Sequence, residues 1–183
     1  TTTNKAVDFV STVDGTAGTE ALTLNAGTGA VTFGDKVGGG QSLASLSATG
    51  PTTLNGDVTT SGTQTYNSAV TLGASATLAT TDSAVDFVST VDAKTAGTQG
   101  LAVAAGKGTV TFSGAVGGGK ALASLAVTGP TKIGASVTTT GVQPYPSTVT
   151  MATTAKLATP THAVAFVRPV AGRASGGHLR CGF

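Results

Sequence analysis

The residues that could carry chemistry in this chain form a few small sets, and each falls short of what its chemistry requires in its own way. The segment GAVGGGK at Gly114–Lys120 nearly spells G-x4-G-K-[ST], the loop whose backbone amides cradle a phosphate at a helix start. Ala121 follows where a hydroxyl is needed, and the equivalent first-half stretch has Asp35 and Gln41 at the first Gly and the Lys positions. No helical periodicity follows, so a turn is expected there. His162, His178 and Cys181 are the only His and Cys residues, one ligand short of a zinc site in a half without acids. Asp8 with Asp14, and Asp86 with Asp92, could catch a calcium ion. The Gly/Asp nonapeptide of calcium-binding rolls is absent, so solvated turns are expected instead.

Catalysis has still fewer candidates. Glu20 is the sole glutamate and no acid follows Asp92, which leaves little from which to build a carboxylate pair across a groove. Both His residues lie near the end of the chain, away from any Ser–Asp partner the repeats could supply. The chain is therefore read as no enzyme, with no catalytic residue, no metal site and no cofactor. Two binding chemistries remain. Tyr66 and Tyr145, at an offset of 79 in the numbering, would form an aromatic row for a glycan or receptor if exposed. The T-x-T pairs Thr63/Thr65, Thr109/Thr111 and Thr148/Thr150 could order ice-like water if they shared a flat face.

What positions these residues is a repeat. AVDFVSTVD at Ala6–Asp14 returns letter for letter at Ala84–Asp92. Phe33, Val37, Pro51 and Tyr66 are answered, each at the offset of 79, by Phe112, Val116, Pro130 and Tyr145. A third copy opens at Ala163–Val167. The organisation expected is a first long repeat over 1–81, a second over 82–160, and a partial third with an irregular tail over 161–183, all in one continuous solenoid.

Within each repeat runs an apolar–x–apolar–x3–apolar signature. Its nine occurrences begin Val7/Phe9/Val13, Val31/Phe33/Val37, Thr52/Leu54/Val58 and Val70/Leu72/Ala76, resume at Val85/Phe87/Val91, and end at Val164/Phe166/Val170. The middle residues are spaced 24, 21, 18 and 15, then 25, 21, 18 and 15. Alternation puts one face inward and one in water, and the Gly, Asn, Ser or Asp of the gap lets the chain turn. A unit of about 20 residues cannot bury its apolar face alone, but stacked units cover one another. The expectation is an all-β, right-handed parallel β-helix (β-solenoid) of about nine coils, a rod ~43 Å long at the inter-strand spacing. On that reading Phe9, Phe87 and Phe166 occupy equivalent stacking positions. Tandem β-sandwich modules also suit a long repeat of this size and stay open as the alternative.

Composition agrees with strands. Charged residues are 10%, Trp is absent, and Thr, Val, Ala, Ser and 27 Gly dominate, which is poor helix chemistry. No run of 18 apolar residues exists to cross a membrane as a helix, so no membrane insertion is expected. With no initiating Met and no leader pattern, the chain reads as a mature product or a fragment. Residues 1–92 carry all eight acids against Lys5 and Lys36, a balance of −6, while residues 93–183 carry eight bases and no acid, +8. The basic half holds few aromatics, Phe112 and Phe166 before the last residue, so no nucleic-acid partner is expected.

The words GAVTFGDKVGG at Gly29–Gly39, GTVTFSGAVGG at Gly108–Gly118 and LNGDVTTSGTQTYNSAVTLGA at Leu54–Ala74 resemble the repeat shafts of large secreted bacterial adhesins of the filamentous-haemagglutinin type. The resemblance covers roughly residues 1–167. It implies an extended stalk or fibre segment at the bacterial cell surface or outside the cell, displaying a binding domain. Self-association end to end, driven by the opposite charges of the two halves, is the partner expected first. A glycan, receptor or ice surface is the alternative.

Overall fold

The computed structural model describes residues 3–168, 170–172 and 179–182. Among them are 22 strands and no helix, and each strand pairing is parallel. The strands fall into three ladders, one for each side of a three-sided solenoid. The first face stacks Val7–Phe9, Val31–Phe33, Thr52–Leu54, Val70–Leu72 and Val91–Ala93. It continues through bridges at Val116 to Val137–Thr138, Ala155–Ala158 and Leu179–Gly182. The second face begins as bridges joining Val13, Val37 and Val58, then stacks Ala76–Ala79, Leu101–Ala104 and Leu125–Thr128, followed by Gln143–Tyr145 and Val164–Phe166. The third runs unbroken from Ala21–Asn25 through Ser45–Thr49, Gln64–Tyr66, Val85–Phe87, Val110–Phe112, Thr131–Ile133 and Val149–Met151 to Val170–Gly172.

The chain therefore makes about eight turns of a parallel β-solenoid, and the β-sandwich alternative is set aside. The inward triplets do not all mark one column, which corrects the in-line reading of nine coils. The step between partners on one face varies: Thr52 answers Val31 after 21, Val70 answers Thr52 after 18, and Val110 answers Val85 after 25. A step of 15 is about two-thirds of a turn. Phe87 therefore leaves the column of Phe9, Phe33, Leu54 and Leu72 and lands on the third face above Tyr66, with Phe112 next. Phe166 lands on the second face beside Tyr145. From Val7–Phe9 to its copy Val85–Phe87 the chain passes eleven face segments, three and two-thirds turns, so the long repeat comes back one face out of phase.

Stacking like on like is what fills the core. Phe9 lies on Phe33, Tyr66 on Phe87, Phe87 on Phe112, and Tyr145 on Phe166, with centroids 5.3, 5.2, 5.0 and 5.4 Å apart and rings within 12° of parallel. Each such pair adds about 0.5–1.5 kcal/mol beyond the area it buries. Val31, Val37, Val58, Val85, Val91, Val110 and Val116 are fully buried between them. Small residues make the corners: Gly38 and Gly117 adopt φ 68° and 66°, and a Cβ on either would strike the carbonyl oxygen of Thr59 or Thr138 in the next turn. The tail expected to be irregular still supplies strands, Val170–Gly172 and Leu179–Gly182, which extend the third and first faces.

Candidate functional site

Each residue set singled out by its chemistry is placed by the ladders, and most are found at work between turns. Tyr66 and Tyr145 are 0% and 1% exposed, which overturns the exposed aromatic row. The strands Gln64–Tyr66 and Gln143–Tyr145 alternate with Thr65 and Pro144 outward, so the tyrosine and the glutamine two residues before it both point in. Burial of the rings pushes both phenols well above the ordinary tyrosine range. Each hydroxyl donates to the glutamine, Tyr66 to Gln64 Oε1 at 3.2 Å and Tyr145 to Gln143 Oε1 at 3.4 Å. The glutamine Nε2 in turn donates to Ala79 O (2.9 Å) and Val58 O (3.1 Å) in one repeat, and to Ala158 O (3.0 Å) and Thr139 Oγ1 (3.1 Å) in the other. These are closed corner networks, and a ligand cannot reach them. Sequence reasoning missed the glutamines because a polar residue stood at an inward position; the recurrence of Q-x-Y one long repeat later was the available signal.

The aspartates and the glycine loop explain each other. Asp92 Oδ1 accepts hydrogen bonds from Gly119 N (2.8 Å) and Lys120 N (2.9 Å), the amides that a phosphate-binding loop would offer its anion. Asp14 does the same for Gly40 N (2.8 Å) in the first repeat. The anion held by GAVGGGK is thus the protein's own carboxylate from the turn before. Asn4 and Asp82 repeat the device on Thr28 N and Lys107 N, at 3.0 and 2.8 Å, and Asp57 on Thr77 N at 2.8 Å. Asp8 and Asp86 stand outward on different faces, in register with Thr32 and Thr111. Among the described residues no group of three His, Cys, Asp or Glu gathers to hold a metal.

Glu20 is likewise committed. Its carboxylate accepts from Thr16 Oγ1 (2.7 Å), Thr19 N (3.1 Å) and Ala17 N (3.2 Å), closing a surface loop. The Thr16 hydroxyl foremost, then the amides, holds its pKa down at about 2. The second repeat has Gln99 at this place, accepting from Thr95 N at 2.9 Å, so the loop does not need the charge. His162 is exposed, with Nδ1 within 3.1 Å of Thr140 O and 2.9 Å of Thr161 Oγ1. His178 lies outside the described residues.

One expected juxtaposition does occur. All three T-x-T pairs lie on the third face, at its third, fifth and seventh strands. The strands between carry Ala84 and Asp86, or Pro130 and Lys132, so hydroxyl rows alternate with a charge of either sign. The depressions in the surface are shallow, and one of about 250 Å³ on the second face is lined by Ser75, Gly100, Ala102, Ser124 and Ala126, none of them an acid, base or strong nucleophile. The class that fold and surface define is a parallel β-solenoid repeat protein. Comparison with protein-family models, curated proteins and solved structures gave no match.

Proposed function

We propose that this chain is a structural stalk or fibre segment of a secreted bacterial surface protein, one that spans distance and carries no reaction. The observation behind this reading is the fate of its polar groups: Asp14, Asp92, Gln64 and Gln143 bond a neighbouring turn, and Glu20 closes its own loop. A shaft needs that arrangement, because each turn is stable only when clasped to the next. Copies join end to end. The acidic first half attracts the basic second half of another copy, and Val7, Phe9, Val13, Leu22 and Leu24 of the first turn are only half-buried. Sedimentation and electron microscopy at low and high salt test this. Longer assemblies with a layer spacing near 4.8 Å are expected at low salt, shortening as the Debye length falls from about 10 Å at 0.1 M to about 3 Å at 1 M. A monomer under both conditions would sink end-to-end assembly.

A second reading, a surface that binds a glycan, a receptor or ice, draws on the hydroxyl rows of the third face. Thermal hysteresis and glycan-array binding that vanish in Thr111→Lys would support it. No activity in either assay would remove it.

A further inference from the structure

The two repeats can be compared position by position, and the outward residues of one stretch differ in a single direction. Ala102, Ala104, Ala126, Pro144, Pro146 and Ala165 stand where the preceding long repeat has Thr23, Asn25, Ser47, Thr65, Asn67 and Asp86. Val142 likewise replaces Thr63. The inward residues of the same strands are kept or exchanged for another apolar one: Leu22 and Leu101, Leu46 and Leu125, Tyr66 and Tyr145, Phe87 and Phe166. Fold stability therefore does not explain the change, because the first repeat folds with the polar set. Since the repeat returns one face out of phase, the altered stretch lies on the second face, over its last four strands.

That surface is, among the described residues, free of charge; Val142 and Val167 expose 47% and 76% of their area on it. The prolines also remove amide donors. Asn67 N donates to Ala48 O in the first repeat, whereas Pro146 has none to give, so no such bond ties this strand to the turn before it. Bases border the surface at Lys107, Lys120 and Arg168, and no acid follows Asp92.

We propose that the second face is where a second copy of this chain packs, antiparallel. Charge selects the partner and its direction. Side by side and parallel, two copies would set the +8 halves against each other; antiparallel, each +8 half meets a −6 half, where Asp14 and Asp57 lie on or beside the same face. Size agrees. The altered half alone offers roughly 330 Å² and the whole face, ~38 Å by ~17 Å, roughly 650 Å², near the ~800 Å² per partner of a standard interface. The contact is isologous and closes at two copies. It uses the side of the solenoid and is independent of end-to-end growth.

The test restores the first-repeat surface with Ala102→Thr, Ala104→Asn, Ala126→Ser, Pro144→Thr, Pro146→Asn and Ala165→Asp, all residues this fold already accommodates. In the Leu22→Lys background, where growth from the end is blocked, the chain is expected to sediment as a dimer at low salt and to dissociate at high salt. In the same background the restored variant is expected to stay monomeric with an unchanged melt. Energy transfer between a label at Ser11→Cys on one copy and Ala152→Cys on another, both in Cys181→Ser, is expected to exceed that between two Ser11→Cys labels. Leu22→Lys, at the open first turn, blocks growth from the end and should leave this dimer intact. A monomeric Leu22→Lys chain, a dimer that survives the six substitutions, or stronger transfer between like ends would each overturn the proposal.

Discussion

At the scale of single residues, the polar groups of this protein act as clasps, and their energetics follow from burial. Gln64 is wholly buried and feeds two carbonyls of adjacent segments while accepting from Tyr66. Gln64→Ala leaves those partners unpaired in the core and opens a cavity, so a loss of about 2–4 kcal/mol in a urea melt is expected. Thr65→Ala, one residue away and facing out, should change stability by less than about 0.5 kcal/mol. Equal effects would mean that the alternation of this strand is misassigned. Glu20 makes a pH prediction. Its folded pKa, about 2, lies below the ordinary 4.5, so its loop bonds contribute fully above the unfolded value and are lost as pH falls through the folded one. The loop closed by Thr16 and Glu20 should remain intact at pH 4. The Glu20 carboxyl resonance should titrate with a midpoint near 2, and one near 4.5 would show that the clasp does not form.

At the scale of elements, strength comes from stacking identical positions, and it depends on where in the stack a ring sits. Phe87 lies between Tyr66 and Phe112 and is 1% exposed, whereas Phe9 has only Phe33 and is half-buried in the first turn. Phe87→Ala is expected to cost about 3–5 kcal/mol and Phe9→Ala about half of that, by chemical denaturation. Much of this level was legible in the sequence. The apolar–x–apolar triplets are inward strands as expected, because period-two alternation needs no tertiary information. Which triplets lie on one another was not legible, since a spacing of 15 and one of 18 look alike until the length of a full turn is known. The tyrosines were misplaced for a related reason: in T-Q-T-Y-N the inward pair is Gln64 and Tyr66, and a buried glutamine becomes acceptable only when carbonyls from other turns reach it. The depolarised surface around Ala102 and Pro144 was equally hidden, because nothing local says which face an outward alanine is on.

At the scale of the molecule, the out-of-phase repeat has a mechanical consequence. With three and two-thirds turns per long repeat, each copy presents its outward residues on the next side, and the same side recurs only after three copies and eleven turns. A long array would then be chemically and mechanically alike on its three sides. It also means that inward positions must fit all three faces, which is why the triplets keep to Val, Leu, Ile, Phe, Met and small residues. The phase is open to direct test by cross-linking. Outward neighbours on adjacent strands of a parallel ladder sit about 4.8 Å apart, within reach of a disulfide with little backbone movement. Thr71 pairs with Asp92 on the first face, while Asp86 pairs with Thr65 and Thr111 on the third. In a Cys181→Ser background, Thr71→Cys with Asp92→Cys should therefore oxidise to an intramolecular bridge. Thr71→Cys with Asp86→Cys, the pair that in-line stacking of the triplets would bring together, should remain reduced. The opposite outcome would restore a solenoid in which each triplet lies directly on the one before, and with it a repeat that returns in phase.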